Sequence, residues 1–230
     1  MAGDDRKTPA GRGGLTRQAV IEAALALADA EGLEAVTIRR LARALGVTPM
    51  ALYWHVRNKD ELLDGVAASL VERVDVSLDA SASWQDQLRA VLTSLLAVLR
   101  AHPAAAPLVS IRTVSTEGSL QVTEVVLDIL RRAGYSPVEA TQVARHALST
   151  LTSLVSAEPG VVAGREPAGQ EEARHRAWEA LASLSPERYP RLVEAAAPLS
   201  AAEDREAYFA FGLDLLLAGI EAMAARHRPA

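Results

Sequence analysis

Thr37, Arg39, Thr48, Pro49, Met50, Ala51, Tyr53, Trp54, His55 and Lys59 lie close together near the start of the chain. They mix hydroxyl, guanidinium, imidazole, phenol and ammonium groups with apolar side chains. That mixture suits a polyanion with flat, methyl-bearing edges. Hydroxyl and cationic donors bond phosphates, arginine bonds guanine O6 and N7 together, and apolar groups meet thymine methyls. No Ser-His-Asp arrangement or glycine-rich phosphate loop accompanies them. The chemistry expected is recognition of double-stranded DNA.

Two short helices joined by a tight turn would position these residues. Thr37 is a good N-cap, and Ile38, Leu41, Ala42 and Leu45 recur at helical spacing while Arg39, Arg40 and Arg43 face outward. Ala42 is small where two helices approach. Gly46 follows the last periodic residue, where a left-handed backbone costs glycine nothing. Val47 is expected beneath the turn. Thr48 caps the next helix and Pro49 takes its first position, where a missing N–H does no harm. Leu52 and Val56 return to the core, which leaves Met50, Ala51, Tyr53, Trp54 and His55 on or near the outer face. Arg40 and Arg43 are read as a solvated helix face. Such a helix-turn-helix places its second helix in the major groove.

The stretch from about Leu15 to Leu70 resembles the DNA-binding domain of the tetracycline-repressor (TetR) family of regulators. The runs Leu52-Tyr53-Trp54-His55-Val56-Arg57-Asn58-Lys59 and Ala19-Val20-Ile21-Glu22-Ala23-Ala24-Leu25-Ala26-Leu27 carry the resemblance, with the Glu31-Gly32-Leu33 helix end. It continues more weakly through Ser83-Trp84-Gln85-Asp86 and Phe209-Ala210-Phe211-Gly212-Leu213-Asp214-Leu215. The resemblance implies that Arg39 contacts a base and that Thr48, Pro49, Met50 and Ala51 face the groove. It implies that Tyr53, Trp54 and His55 touch phosphates and sugars, and that Lys59 meets a phosphate from a helix start. Thr37 can donate to a phosphate as well. Tetracycline repressors carry a glutamine followed by a proline where Pro49 and Met50 stand, so a different operator is expected.

Composition sets the rest of the frame. Half of the 230 residues are apolar but only 4% are aromatic, so the core must be built from Ala, Leu and Val, which favours an all-α fold. The absence of cysteine excludes disulfides and thiolate metal sites. Net charge is −5, but residues 1–60 hold nine Lys/Arg against seven Asp/Glu and the remainder 15 against 22. A mildly basic head on an acidic body suits local phosphate contact and argues against non-specific coating of nucleic acid. The expected organisation is a polar N-terminal arm (1–14), a three-helix DNA-binding domain (15–70) and a helical effector-binding and dimerisation domain (71–230). No signal peptide or membrane-spanning segment is read, since Phe209 to Ala225 contains Asp214 and Glu221. A cytoplasmic protein is expected.

Along the body, helices are expected over Lys59 onward, Trp84–Ala101, Ala104–Arg112, Gly118–Ala133, Pro137–Ala157, Gln170–Leu184, Pro186–Ala196 and Ala201–Arg226, with a loop over Glu158–Gly169. The last helix is apolar around much of its circumference, and a helix apolar on more than one face is buried on more than one face. With Pro137–Ala157 it is expected to form a four-helix bundle with a second copy. Leu148, Leu151, Phe209, Gly212, Leu216, Gly219, Ile220 and Met223 are the candidate interface. A two-fold dimer would match a palindromic DNA site.

The body is also expected to hold an apolar cavity for a small-molecule effector. Tetracycline repressors hold a magnesium–tetracycline chelate with a histidine, an asparagine, a glutamine and a nearby glutamate. Alignment by resemblance puts those places at Val109, Val91, Val126 and about Ala157 or Glu158. Valine offers a hard cation neither oxygen nor imidazole. A more apolar effector is therefore expected, with no metal and no cofactor. Asp75, Leu95, Arg112, Ser149 and Thr152 are further wall candidates, and Trp178 with Leu181 could close the partner's cavity. An enzyme is the competing reading. Glu172 and His175 have the Glu-x-x-His spacing of di-iron bundles, but that site needs a second such pair and two more carboxylates. Repression and activation are not distinguished by the sequence.

Overall fold

Short polar side chains start most of the helices. Thr16, Thr37, Thr48, Asn58 and Ser83 each accept the backbone N–H three residues on. They open α1 (Arg17–Glu31), α2 (Ile38–Leu45), α3 (Pro49–Tyr53), α4 (Lys59–Val71) and α5 (Trp84–Ala101). After α6 (Ala106–Ile111), Thr116 caps α7 (Glu117–Arg132) and Ser136 forms a reciprocal capping box with Glu139 at the start of α8 (Pro137–Ser156). Then come α9 (Pro167–Ala182), α10 (Pro190–Glu194), α11 (Ala196–Ser200) and α12 (Arg205–Ala225), the last capped by Asp204.

The computed structural model of the chain describes residues 15–112, 116–158, 167–201 and 204–226. The expected arm, 1–14, lies outside the described residues. The fold is all-α, with no strand among the described residues. Three expected boundaries change. Helix α9 begins at Pro167, inside the stretch read as a loop, because proline is accepted in a first turn. The segment read as one helix over Pro186–Ala196 is instead two short helices, α10 and α11, which meet at Ala195. Helix α12 begins at Arg205 rather than Ala201, because Asp204 supplies the cap.

Helices α1, α2 and α3 close over Val20, Leu25, Leu41, Leu52 and Val56, all buried. Helix α4 joins this head to the body, and it packs on α1, α6 and α7. It crosses α1 at Gly65, where a Cβ would stand 2.7 Å from Ile21 Cδ1. A second tie runs from His102 Nδ1 to Asp29 Oδ2 at 2.8 Å.

The body packs α5, α6, α7, α8 and α12 around Leu88, Leu99, Ile129, Leu130, Leu151 and Phe209. Tyr135 is fully buried and donates to Ile220 O of α12 at 2.6 Å. By length and hydropathy α12 could cross a membrane, contrary to the sequence expectation. One face of it packs on α5 and α8, and its Asp214 pairs with Arg89 at 2.6 Å.

Candidate DNA-reading surface and effector cavity

The reading surface is built by its caps. Thr37 Oγ1 accepts from Arg40 N at 3.2 Å and Thr48 Oγ1 from Ala51 N at 3.3 Å, so each hydroxyl still has its own proton to donate. Gly46 adopts φ 66° and ψ 29°, the left-handed conformation the turn requires. Val47 N then donates back to Ala42 O at 3.0 Å, and Val47 is half-buried against the core. Proline at the first position of α3 aims Met50, Tyr53 and Trp54 outward, and Trp54 is 84% exposed. Leu52 and Val56 anchor the inner side. Arg39 is exposed on α2, while Arg40 is tied to Glu31 of α1.

Asn58 caps α4 by accepting from Glu61 N at 2.8 Å, and Glu61 Oε2 accepts from Arg57 N at 2.8 Å. This pair fixes the first turn of α4, where Lys59 sits beside the aromatic cluster in sequence. Thr37, Arg39, Thr48–Ala51, Tyr53–His55 and Lys59 thus belong to three consecutive elements with outward or half-exposed side chains. Donors, cations and apolar groups share one head.

The body holds a cavity of about 350 Å³, half open to solvent. Its wall is mostly apolar and includes Val91, Leu95, Val109, Val126, Leu130 and Leu148. Ser110, Thr123, Thr141, Arg112 and Arg145 complete the lining, with the Thr123 and Thr141 hydroxyls bonded to carbonyls of their own helices and Arg145 exposed. No Asp, Glu or His is among the described residues that line it. Ser110 donates to Thr152 Oγ1 at 2.8 Å, which ties α6 to α8 behind the wall.

Arg112 connects the cavity to the head. Its Nη1 donates to Asp64 Oδ1 at 2.7 Å and to Asp60 O at 3.0 Å, and its Nη2 to Asp60 Oδ1 at 3.1 Å. The hydrogen bond to Asp64 leads, with Asp60 adding to it, in raising the guanidinium pKa above its ordinary value. Asp60 directly follows Lys59.

A shallow groove runs between α8 and α12, lined by His146, Thr150, Leu154, Leu215, Leu216, Gly219 and Met223 among others. Phe211 stands beside it, 71% exposed.

Residues 20–66 match the family described as bacterial regulatory proteins, tetR family. Residues 78–224 match the tetracyclin repressor-like C-terminal domain. The chain belongs to the TetR family. Among curated TetR-type relatives, the tetracycline repressor protein class D of Escherichia coli is 31% identical over 90% of this chain and 89% of its own length. The HTH-type transcriptional repressor DrrR1 of Streptomyces coeruleorubidus is 30% identical over 93% of this chain and 80% of its own. ActR of Streptomyces coelicolor, solved in complex with actinorhodin, superposes with a TM-score of 0.76 at 28% identity, covering 92% of this chain and 99% of that one. The chain is a ligand-responsive DNA-binding transcriptional regulator of the TetR family.

Within this TetR-family body the candidate residues separate. Val91, Leu95, Val109, Arg112 and Val126 stand together on the cavity wall. Asp75 does not line it: its carboxylate accepts from Ser77 N at 2.8 Å, a turn bond that holds the carboxyl below its ordinary pKa. Ser149 is exposed on α8, and Thr152 is buried behind Ser110 rather than on the wall. Glu158 is buried against Arg205 instead of reaching the cavity. Trp178 is exposed on α9 and stacks on His175 with ring centroids 6.0 Å apart. Leu151 and Phe209, expected at an interface, are buried inside the protomer. Ile220 is buried as well, and Leu148 lines the cavity. Gly212 serves the protomer too, since a Cβ there would stand 2.8 Å from Leu154. Gly219 meets open space, and Leu216 and Met223 line the groove. Arg145, Phe211 and Leu215 were not singled out from the sequence. The phase of each helix about its axis is what brings them into view.

Proposed function

We propose that the protein is a homodimeric repressor. In this reading the head (15–70) holds a palindromic operator, and the body (71–230) releases it when a small, mostly apolar molecule fills the cavity. The observation that carries the reading is one continuous path. Helix α4 starts at Lys59 on the reading surface, and its Asp60 and Asp64 bond Arg112, which lines the cavity. A ligand that favours one arrangement of Arg112 shifts α4, and with it the spacing of two paired heads. DNA and ligand affinities are then reciprocally coupled.

The second copy is supported by the apolar surface that α12 leaves in water. Phe211, Leu215 and Met223 are exposed on it beside the α8 groove. Burying such a face stabilises by about 25 cal/mol per Å². Helix α9, exposed along most of its length, is free to reach a partner. A two-fold pair also matches half-sites about one helical turn apart. Repression agrees with the naming of DrrR1 and the tetracycline repressors, and occupation of a body cavity with ActR bound to actinorhodin. Catalysis is not part of the reading: Glu172 and His175 are exposed, and His175 pairs with Glu179 at 3.2 Å. The protein would act in the cytoplasm, where its DNA is.

A thermal-shift screen of small molecules tests this. Compounds that raise Tm should also release a duplex selected by the protein, and Val126→Trp, which fills the cavity, should lose both effects. Compounds that raise Tm only in the wild type yet leave the duplex bound would refute the coupling.

A further inference from the structure

The charged groups on the cavity wall are both arginines. Arg112 and Arg145 line it, and no carboxylate among the described residues does. Arg145 has no ion-pair or hydrogen-bond partner among the described residues. Arg112 is differently placed. Both of its terminal nitrogens are held by Asp60 and Asp64, while its Nε is buried and has no acceptor among the described residues. A buried donor without an acceptor is costly, so a ligand oxygen that draws Arg112 toward the cavity gains this N–H. The remaining wall, with Val91, Val109 and Val126, takes a hydrocarbon body. A neutral hydrocarbon would leave the Arg112 Nε–H without an acceptor and Arg145, exposed on α8, with water alone.

We propose that the effector is an apolar body bearing one anionic oxygen group, a carboxylate, phenolate or sulfonate. Arg112 and Arg145 hold that group, and by competing for Arg112 it loosens the bonds to Asp60 and Asp64. The proposal rests on the cavity being the effector site. It adds the charge class of the ligand and the residue at which binding is converted into movement of α4.

Two dyes of one skeleton test it on the full chain: 1-anilinonaphthalene-8-sulfonate and the neutral N-phenyl-1-naphthylamine, titrated by fluorescence. Charge-assisted hydrogen bonds stabilise by more than neutral ones, so Arg112→Met should weaken the sulfonate about ten-fold and the neutral dye less than about two-fold. Asp64→Asn, which removes one of the two carboxylates that hold Arg112, should tighten the sulfonate and leave the neutral dye unchanged. Arg145→Met, which touches nothing on α4, should weaken the sulfonate alone. It provides an independent arm if Arg112→Met does not fold. Equal effects of these variants on both dyes, or none on either, would overturn the proposal while leaving the cavity in place. Val126→Trp should abolish binding of both dyes. If both persist in that variant, the dyes bind elsewhere and the cavity reading fails with the proposal.

Discussion

Arg112 donates to Asp64 at 2.7 Å across the boundary between the cavity wall and the second turn of α4. No other wall residue makes a side-chain hydrogen bond to α4 among the described residues. Allosteric coupling in proteins is typically about 1–3 kcal/mol, or about 5–150-fold in affinity. For any compound that releases the wild type from its operator, Asp64→Asn should reduce that effect to less than about two-fold while ligand binding persists or tightens. Operator affinity measured with and without ligand checks this, and an undiminished ratio would remove the bridge from the coupling path.

The head separates stability from DNA contact. Thr48→Ala removes a cap and should cost about 1 kcal/mol of unfolding free energy. Trp54→Ala removes an exposed ring and should stay within about 0.5 kcal/mol of wild type while weakening operator binding. Arg39→Ala should narrow the gap between the selected operator and its variants. Lys59→Ala should instead weaken all sequences alike and flatten the salt slope by about one. Denaturant titration and binding measured at several salt concentrations distinguish the four outcomes.

Gly212 and Gly219 lie a heptad apart on α12 but have different surroundings. A Cβ at Gly212 meets Leu154 at 2.8 Å, whereas one at Gly219 meets nothing within 4 Å. Gly212→Val should therefore displace the Leu154 side chain and destabilise the protomer more than Gly219→Val does. Gly219→Arg should leave the protomer folded and break the proposed dimer. Sedimentation with circular dichroism separates these results, and a Gly219→Arg protein that remains dimeric would move the interface elsewhere.

Burial, more than the opposing backbone bond at Ala224, raises the pKa of the Tyr135 phenol above its ordinary value. The unfolded chain ionises this group near pH 10, whereas the folded chain retains the proton. The phenol's contribution to stability is thus fully present below about pH 10 and is lost as pH rises beyond it. Tyr135→Phe should cost about 1 kcal/mol at neutral pH through the lost bond to Ile220 O. It should also flatten the alkaline decline, which denaturation at several pH values will register.

The head was legible because its determinants are local. Thr37, Gly46, Thr48 and Pro49 act on backbone groups within a few residues, and each stands at a cap or turn the structure contains. The cap made by Asn58 with Glu61 is local too, and its Asn-x-x-Glu spacing could have been read. The body was less legible because its determinants are relational. The apolar circumference of α12 does not show which side the protomer buries. Phe209 turns inward at 2% exposure and Phe211 outward at 71%, a choice made by the placement of α5 and α8. Likewise Arg145, exposed on α8, borders the cavity only because α8 is set beside it. Asp75 failed as a wall candidate because its turn bond to Ser77 directs the carboxylate along the backbone.

Selection of a random duplex library on the purified full chain at moderate salt, followed by sequencing, tests the central claim most directly. An enriched palindrome with half-sites about one helical turn apart is the predicted result. Arg39→Ala should blunt that enrichment, and Trp54→Ala should lower the recovery of duplex, while both remain folded. Recovery of all sequences alike, or an enrichment indifferent to Arg39 with a recovery indifferent to Trp54, would contradict the assignment of this surface as the DNA reader.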